Sequence, residues 1–389
     1  MTRRVLEGLR GVLLLGGWSK YHSWMNILLV RLSSMGDVIH TLPAFRALRD
    51  SFPEATLGWA VEDSHSELLS GLPGLDHLYI VSRKRMKNGW KSRLDLAREM
   101  RGLMREADWD LAIDFQGLWK SLWVARWSGA KRIAGYAPSP EKTHWFYSDR
   151  VRLPSMDRHA VDRNLDLIAS LGASVRHAET RSDFERDFSL PITPSHRMKA
   201  SSLLAELQVE NGAKRILLNF SARKPANRWG AEGFANLACA LRERGYSPIL
   251  TGAPGEEGEA EAVQPSLDNP IPSLVGKCSL LELAAVMEKA VALITGDTGP
   301  MHVAVSVGLP VVALFGPANP VRTGPYSPSA VVLQKPRECQ PCYGRHCKFG
   351  QEPPPCMLDI SVEEVVERVE EVLGLPSLPL ELAQTNPLL

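Results

Sequence analysis

The sequence predicts an α/β fold built from two doubly wound parallel-sheet units in tandem, facing each other across a cleft. Three observations predict it. Short β-branched runs alternate with longer helical patterns along most of the chain, which places parallel strands under helices on both faces. The alternation breaks over residues 172–196, a polar, turn-rich stretch carrying Pro191 and Pro194, which reads as the linker. The chain has 389 residues, too many for one ordinary domain and ample for two.

In the first unit, strands are expected at Ile27–Leu32, Leu57–Val61, His77–Val81, Leu111–Phe115 and Arg132–Ala134. Helices are expected at Val38–Asp50, Leu94–Glu106 and Ala160–Leu171. In the second, strands fall at Arg215–Asn219, Pro248–Thr251, Ile271–Val275, Ala292–Thr295 and Val311–Phe315. Its helices are Ala231–Arg244, Leu280–Ala290 and Met301–Val307, with a last helix, Val362–Leu373, capped by Ser361. The division is 1–24, 25–190, 191–375 and 376–389. In the first segment Arg3 and Arg4 precede a short apolar run, Val12 to Gly17. No small-residue cleavage site follows, so it reads as a disordered extension or a misassigned start. The Pro/Leu-rich tail reads as frayed.

Hydrophobic residues make up 44% and charged residues 23%, the balance of a soluble globular protein. No apolar run is long enough to span a bilayer. A net charge of +1 argues against a dedicated nucleic-acid binder. Any acidic ligand must meet a local patch. Cations concentrate in the first unit: Arg83, Lys84, Arg85, Lys87, Lys91 and Arg93, then Lys131, Arg132, Lys142, Arg150 and Arg152. That bias suggests an acidic acceptor steered electrostatically, although such runs are usually solvated surface. Of six cysteines, Cys239 and Cys278 read as buried thiols. The others, Cys339, Cys342, Cys347 and Cys356, share one loop. Four thiolates can make a structural zinc site, but only one C-x-x-C pair is present, so reduced thiols or a local disulfide stay open.

The chemistry-bearing residues fall at strand ends. Ser33-Ser34-Met35-Gly36-Asp37 follows the first strand. Asp37 either serves the dipole of the next helix or acts as a general base at the cleft mouth. Thr295-Gly296-Asp297-Thr298-Gly299-Pro300-Met301-His302 ends a strand of the second unit and opens a helix. Two glycines and free N–H groups there suit a phosphate; a plain capped helix start is the alternative. Ser221, Arg223, Lys224 and Arg228 lie beyond Asn219, where hydroxyls and cations suit a diphosphate. Glu256, after Thr251-Gly252-Ala253-Pro254, can accept from ribose hydroxyls. Neither a G-x-G-x-x-G fingerprint after the first strand nor a G-x-x-x-x-G-K-[ST] loop is present.

Together these motifs resemble glycosyltransferase family 9, the lipopolysaccharide heptosyltransferases. The likeness runs from about Met25 to Leu373 and is nearest the heptosyltransferase I branch. It is carried by Ser33 to Val38 with His40-Thr41-Leu42-Pro43-Ala44, by Ile113-Asp114-Phe115-Gln116-Gly117-Leu118 with Lys120-Ser121, and by His159-Ala160-Val161-Asp162-Arg163. Asp297-Thr298-Gly299 with His302, and Phe315-Gly316-Pro317, add to it. The resemblance implies a GT-B fold whose last helix crosses back to the first domain. It implies inverting transfer of heptose from ADP-L-glycero-D-manno-heptose to Kdo of lipid A-linked Kdo, without a catalytic cofactor, by a cytoplasmic protein held peripherally at the inner membrane. Asp37 would be the base. Ser221, Lys224, Arg228, Glu256, Asp297, Thr298, Gly299 and His302 would bind the donor. Ser34, Gly36, Arg83, Arg85, Gln116 and Lys120 would bind the acceptor, with Arg83 and Arg85 in a mobile loop. One departure is Asn227, where the family usually carries a lysine two residues before the tryptophan, here Trp229; Lys224 or Arg228 are the candidate replacements. Another family 9 transferase, heptosyltransferase II-like or using a different nucleotide sugar, a sugar-nucleotide epimerase and a non-catalytic nucleotide binder remain alternatives. Oligomeric state is not legible.

Overall fold

The structure, a computed structural model, describes residues 25–178, 186–209, 212–264 and 270–374. The readings of 1–24 and 376–389 lie outside them. The first sheet contains β1 (Asn26–Val30), β2 (Thr56–Glu62), β3 (His77–Val81), β4 (Leu111–Asp114), β5 (Arg132–Tyr136) and β6 (Asp149–Val151). All are parallel, in the order β3-β2-β1-β4-β5-β6. The second contains β7 (Lys214–Asn219), β8 (Tyr246–Thr251), β9 (Ala292–Gly296), β10 (Val311–Phe315) and β11 (Ala330–Gln334). They too are parallel, in the order β11-β10-β9-β7-β8. Strand order reverses beside β1 in one sheet and beside β7 in the other. Those reversals open crevices at the carboxyl ends of the strands.

Several expectations need correction. β6 and β11 carry no strand signal in the sequence: the first is three residues long, and the second is a half-buried edge without alternation. Ile271–Val275 is no strand, only a single bridge from Ser273 to Leu250. Pro270 and Pro272 lack the N–H groups a ladder needs. The helix expected over Val38–Asp50 is two helices, Met35–Ile39 and Leu42–Ser51. Pro43 sits in the first turn of the second, where a missing N–H costs nothing but an uninterrupted helix is barred. The helix Pro194–Glu206 begins within the last three residues of the expected linker. Thr193 caps it by accepting from His196 N–H at 3.4 Å, so Pro194 is a helix start. Cys239 is exposed, because its helix, Ala231–Glu243, buries Phe234, Leu237, Ala238 and Leu241 instead; Cys278 is half-buried.

The last helix, Val362–Gly374, begins with the expected cap: Ser361 Oγ accepts from Glu364 N–H (3.2 Å), and Glu364 accepts from Ser361 N–H (3.0 Å). Its apolar face, Val365, Val366, Val369 and Val372, is buried in the core of the C-terminal half. The expected crossing to the other half is not made by this face.

Other contacts join the halves. Glu67, from the first, caps the helix Leu280–Met287 of the second, accepting from Ser279 Oγ (2.5 Å) and from the N–H groups of Leu280 (3.1 Å) and Leu281 (3.2 Å). A carboxylate there also meets the positive end of the helix dipole. Tyr326 donates its hydroxyl to Asp162 at 2.8 Å. One hydrophobic cluster runs from β1 through Leu217 and Met301, so the core is continuous across the junction.

Candidate active site

Asp37 sits in the short helix Met35–Ile39, directly after β1. One carboxylate oxygen accepts from the N–H (3.0 Å) and hydroxyl (2.9 Å) of Ser34. The other pairs with Arg31 at 2.5 Å. Burial pushes the Asp37 carboxyl up, but the Arg31 guanidinium and the Ser34 donors outweigh it and hold it below the ordinary carboxylate value. The side chain stays 31% exposed, so the ionised oxygens remain reachable from the cleft.

The acceptor-side residues form a network around Ser33. Gln116 donates to the Ser33 carbonyl (3.1 Å) and hydroxyl (3.3 Å) and accepts from Leu32 N–H (3.3 Å). Lys120 donates to Ser33 Oγ (2.6 Å) and to the buried Glu62 (2.7 Å). Asp114 explains the strength of its motif differently. It accepts from the N–H groups of Gln116 (2.9 Å) and Gly117 (3.0 Å), and from the hydroxyls of Ser121 (2.9 Å) and Tyr147 (2.7 Å). It fixes the turn that aims Gln116. Arg83 lines a cavity of about 850 Å³ that reaches Ser33, Ser34 and Lys120. Arg85 does not: it pairs with Glu99 on the helix Gly89–Arg105.

Across the cleft, Ser221 donates to Glu256 at 2.6 Å, and Glu256 also accepts from Ala253 N–H at 2.7 Å. The Thr298 hydroxyl meets Thr295 Oγ1 (2.9 Å) and accepts from Asn219 (3.3 Å), so it does not cap the helix Gly299–Ser306. The opening N–H groups of that helix are left for a ligand. Asn227 donates to the Asp297 carbonyl (3.0 Å) and carboxylate (3.3 Å). Burial raises the Asp297 carboxyl, opposed by Lys224 and Asn227. Lys224 thus lies in electrostatic range of this turn even though Asn227 holds the expected lysine position. Arg228 is engaged by the Ala222 carbonyl (2.9 Å) and Glu259 (3.0 Å).

The two turns abut. A Cβ added to Gly36 would lie 2.3 Å from Cδ2 of His302, and one added to Gly299 would lie 2.4 Å from Sδ of Met35. Only glycine permits that approach, which sets Asp37 beside the helix start at Thr298 and Gly299.

His302 is placed at this seam. Its Nδ1 meets Nε2 of His40 at 3.0 Å, and His159 packs edge-on to His40, centroids 4.9 Å apart. His159 also meets the Gly324 carbonyl at 3.1 Å. Motif reading did not join these three rings, nor Arg31 with Asp37, because they come from different elements. Burial drives His302 and His159 down to about 4 and His40 well below 6.5, so all three are neutral at pH 7. The unfolded chain therefore binds protons that the folded chain refuses. Stability is full above about 6.5 and falls as pH drops toward about 4. His302 alone should remove about 3 kcal/mol over that window. Urea midpoints at pH 7, 6 and 5 should fall in wild type and fall less in His302→Asn; parallel slopes would show that His302 does not contribute to the loss.

Two facing parallel sheets with a carboxylate opposite a phosphate-type helix start define a GT-B glycosyltransferase. Residues 97–352 match glycosyltransferase family 9 (heptosyltransferase), and the chain belongs to that family. It is similar to lipopolysaccharide heptosyltransferase 1 of Pseudomonas aeruginosa, with 29% identity over 371 residues covering 90% of this chain and 99% of the relative. Among solved structures, the family 9 glycosyl transferase of Veillonella parvula superposes with a TM-score of 0.76 at 26% identity, covering 90% of this chain and 97% of that one. E. coli heptosyltransferase WaaC with ADP has the same fold, with a TM-score of 0.69 at 23% identity, covering 90% and 100%.

The four loop cysteines are all free thiols; Cys356 is buried, and burial and the other three cysteines raise it. Among the described residues no three His, Cys, Asp or Glu side chains are grouped to hold a metal ion. No described helix is long and apolar enough to cross a membrane.

Proposed function

We propose that this enzyme moves L-glycero-D-manno-heptose from ADP-heptose to Kdo of the lipopolysaccharide inner core, with inversion, at the cytoplasmic face of the inner membrane. The observation that carries the reading is the meeting of the Asp37 turn with the Thr298–Gly299 helix start. Asp37 takes the proton from the Kdo hydroxyl as that oxygen attacks the anomeric carbon. The carbon–oxygen bond to ADP breaks on the opposite face, and the electron pair leaves with the diphosphate. The helix-start N–H groups and Lys224 stabilise the growing charge. Glu256, oriented by Ser221, accepts from the ribose hydroxyls. The relatives' names and the ADP complex of WaaC support this choice of donor.

The chemistry calls on no divalent ion. Zinc on Cys339, Cys342, Cys347 and Cys356 would be structural, and metal analysis of purified protein tests it. Incubation with ADP-heptose and Kdo₂-lipid A in EDTA, read by mass spectrometry, should give an acceptor heavier by one heptose. Donor consumed without acceptor gain would instead indicate an epimerase or hydrolase.

A further inference from the structure

Trp59 and Trp109 of the first half are buried in its core, but Trp90, Trp119, Trp123 and Trp145 are exposed. The helix Trp119–Trp127 buries Ser121, Leu122, Val124 and Ala125, and turns Trp119 and Trp123 outward, 42% and 51% exposed. Trp119 and Trp123 stand at i and i+4 on the face away from the core, and Trp127, one turn further on, is half-buried against the core at the end of that stripe. The neighbouring helix Gly89–Arg105 buries Leu96, Met100 and Met104 and presents Trp90 and Leu94, 68% and 45% exposed. Between the two helices lies the 850 Å³ cavity, whose inner end reaches Ser34 beside Asp37. The aromatic face continues to Phe146, 5.3 Å from Trp119, and to the exposed Trp145. An isolated soluble protein rarely leaves so contiguous an apolar face open.

Cations accompany the aromatics. Arg83 to Arg105 holds nine lysines and arginines against two carboxylates, in a chain whose net charge is +1. Both carboxylates are already paired, Asp95 with Arg98 and Glu99 with Arg85. Of the acids behind the face, Glu62 is paired with Lys120 and Glu141 accepts from Trp119 N–H. Lys91 lies over Trp90, Arg126 over Phe146 and Arg150 over Trp145, each within 5.6 Å of the ring centroid. Amphipathic rings ringed by cations suit the boundary between anionic headgroups and acyl chains. Nucleic acid also likes stacked rings and cations, but Met86, Leu94 and Ala97 in the cavity lining offer it no hydrogen bond.

We infer that this face docks on an anionic lipid bilayer, with the tryptophans at the interface and the cations among the headgroups. Where it adds to the proposed transfer it rests on that reading: the cavity mouth would then receive a lipid-linked acceptor directly from the membrane plane.

Full-length protein should cosediment with phosphatidylglycerol/phosphatidylcholine vesicles, not with phosphatidylcholine alone, and less in high salt. Trp90→Ser/Trp123→Ser should lower partitioning about tenfold, and Lys87→Glu/Arg93→Glu about a hundredfold. Unchanged ADP affinity would show that both variants remain folded. Equal binding to neutral vesicles, or variants that sediment like wild type, would overturn the docking surface. So would preference for a duplex oligonucleotide over vesicles. Transfer to a deacylated, water-soluble Kdo acceptor separates the two proposals. Transfer without vesicle binding removes the docking surface alone, whereas vesicle binding without transfer to any acceptor leaves it standing and removes the reaction.

Discussion

Asp37→Asn should abolish transfer while ADP still binds. The substitution keeps the shape of the side chain and removes the proton acceptor, a loss of about 10²–10⁴ in kcat. ADP should bind as before, because its proposed contacts come from the other sheet. A second effect needs separating. Arg31 is only 11% exposed and loses its counter-ion in this variant, although it keeps a hydrogen bond to the Phe115 carbonyl. An uncompensated guanidinium costs stability. Arg31→Met/Asp37→Asn removes both charges and should recover folding without recovering transfer. If Asp37→Asn alone turned over at the wild-type rate, another group would have to be the base. Arg31 also sets the pH range of that base. Transfer must fail as Asp37 protonates, so the acid limb of kcat/KM lies below the ordinary carboxylate value. Without Arg31 the burial that pushes the carboxyl up has less opposing it, and the limb should move to higher pH in Arg31→Met.

The sequence shows this site in pieces because its chemistry sits at strand ends. β3 and β10 match their expected limits, since each is a short apolar run between turn residues. Asp37 and Thr298 stand out because glycines beside them have no reason to be there unless backbones approach closely. Pairings across the chain left no such mark. His40 and His302 are 262 positions apart and meet only after both sheets form. Glu67 looks like any surface carboxylate until the helix it caps arrives from the other half. The exposure of Trp119 and Trp123 is not legible from spacing either: only the burial of Leu122 and Val124 in the structure shows on which side of that helix the core lies. Asn227 stands where the family usually carries a lysine. In the structure its amide holds the Asp297 backbone, so the position keeps a part in shaping the turn.

Gly36→Ala should be nearly as damaging as loss of the base, although it adds one methyl group and removes no chemistry. The new Cβ would fall 2.3 Å from Cδ2, 2.6 Å from Nε2 and 3.2 Å from Cγ of His302, a rigid ring rather than the end of a flexible chain. Relief requires the ring to leave, which breaks its bond to His40, or the halves to part. Parting of the halves moves Asp37 away from Thr298, and a displacement of about 1 Å is enough to cost on the order of 10² in rate. ADP affinity should be little changed, and kcat should carry the loss. Gly102→Ala is the control, because nothing lies within 4 Å of its added Cβ and it sits inside a helix. That change should stabilise by about 0.5–1 kcal/mol. Gly36→Ala/His302→Ala tests the cause. Removing the ring makes room for the methyl, so the double variant should recover part of the rate that Gly36→Ala loses, a coupling a cycle would measure directly. Additive losses would mean that the glycine serves the backbone of its own turn, and that the close approach of the halves does not govern transfer.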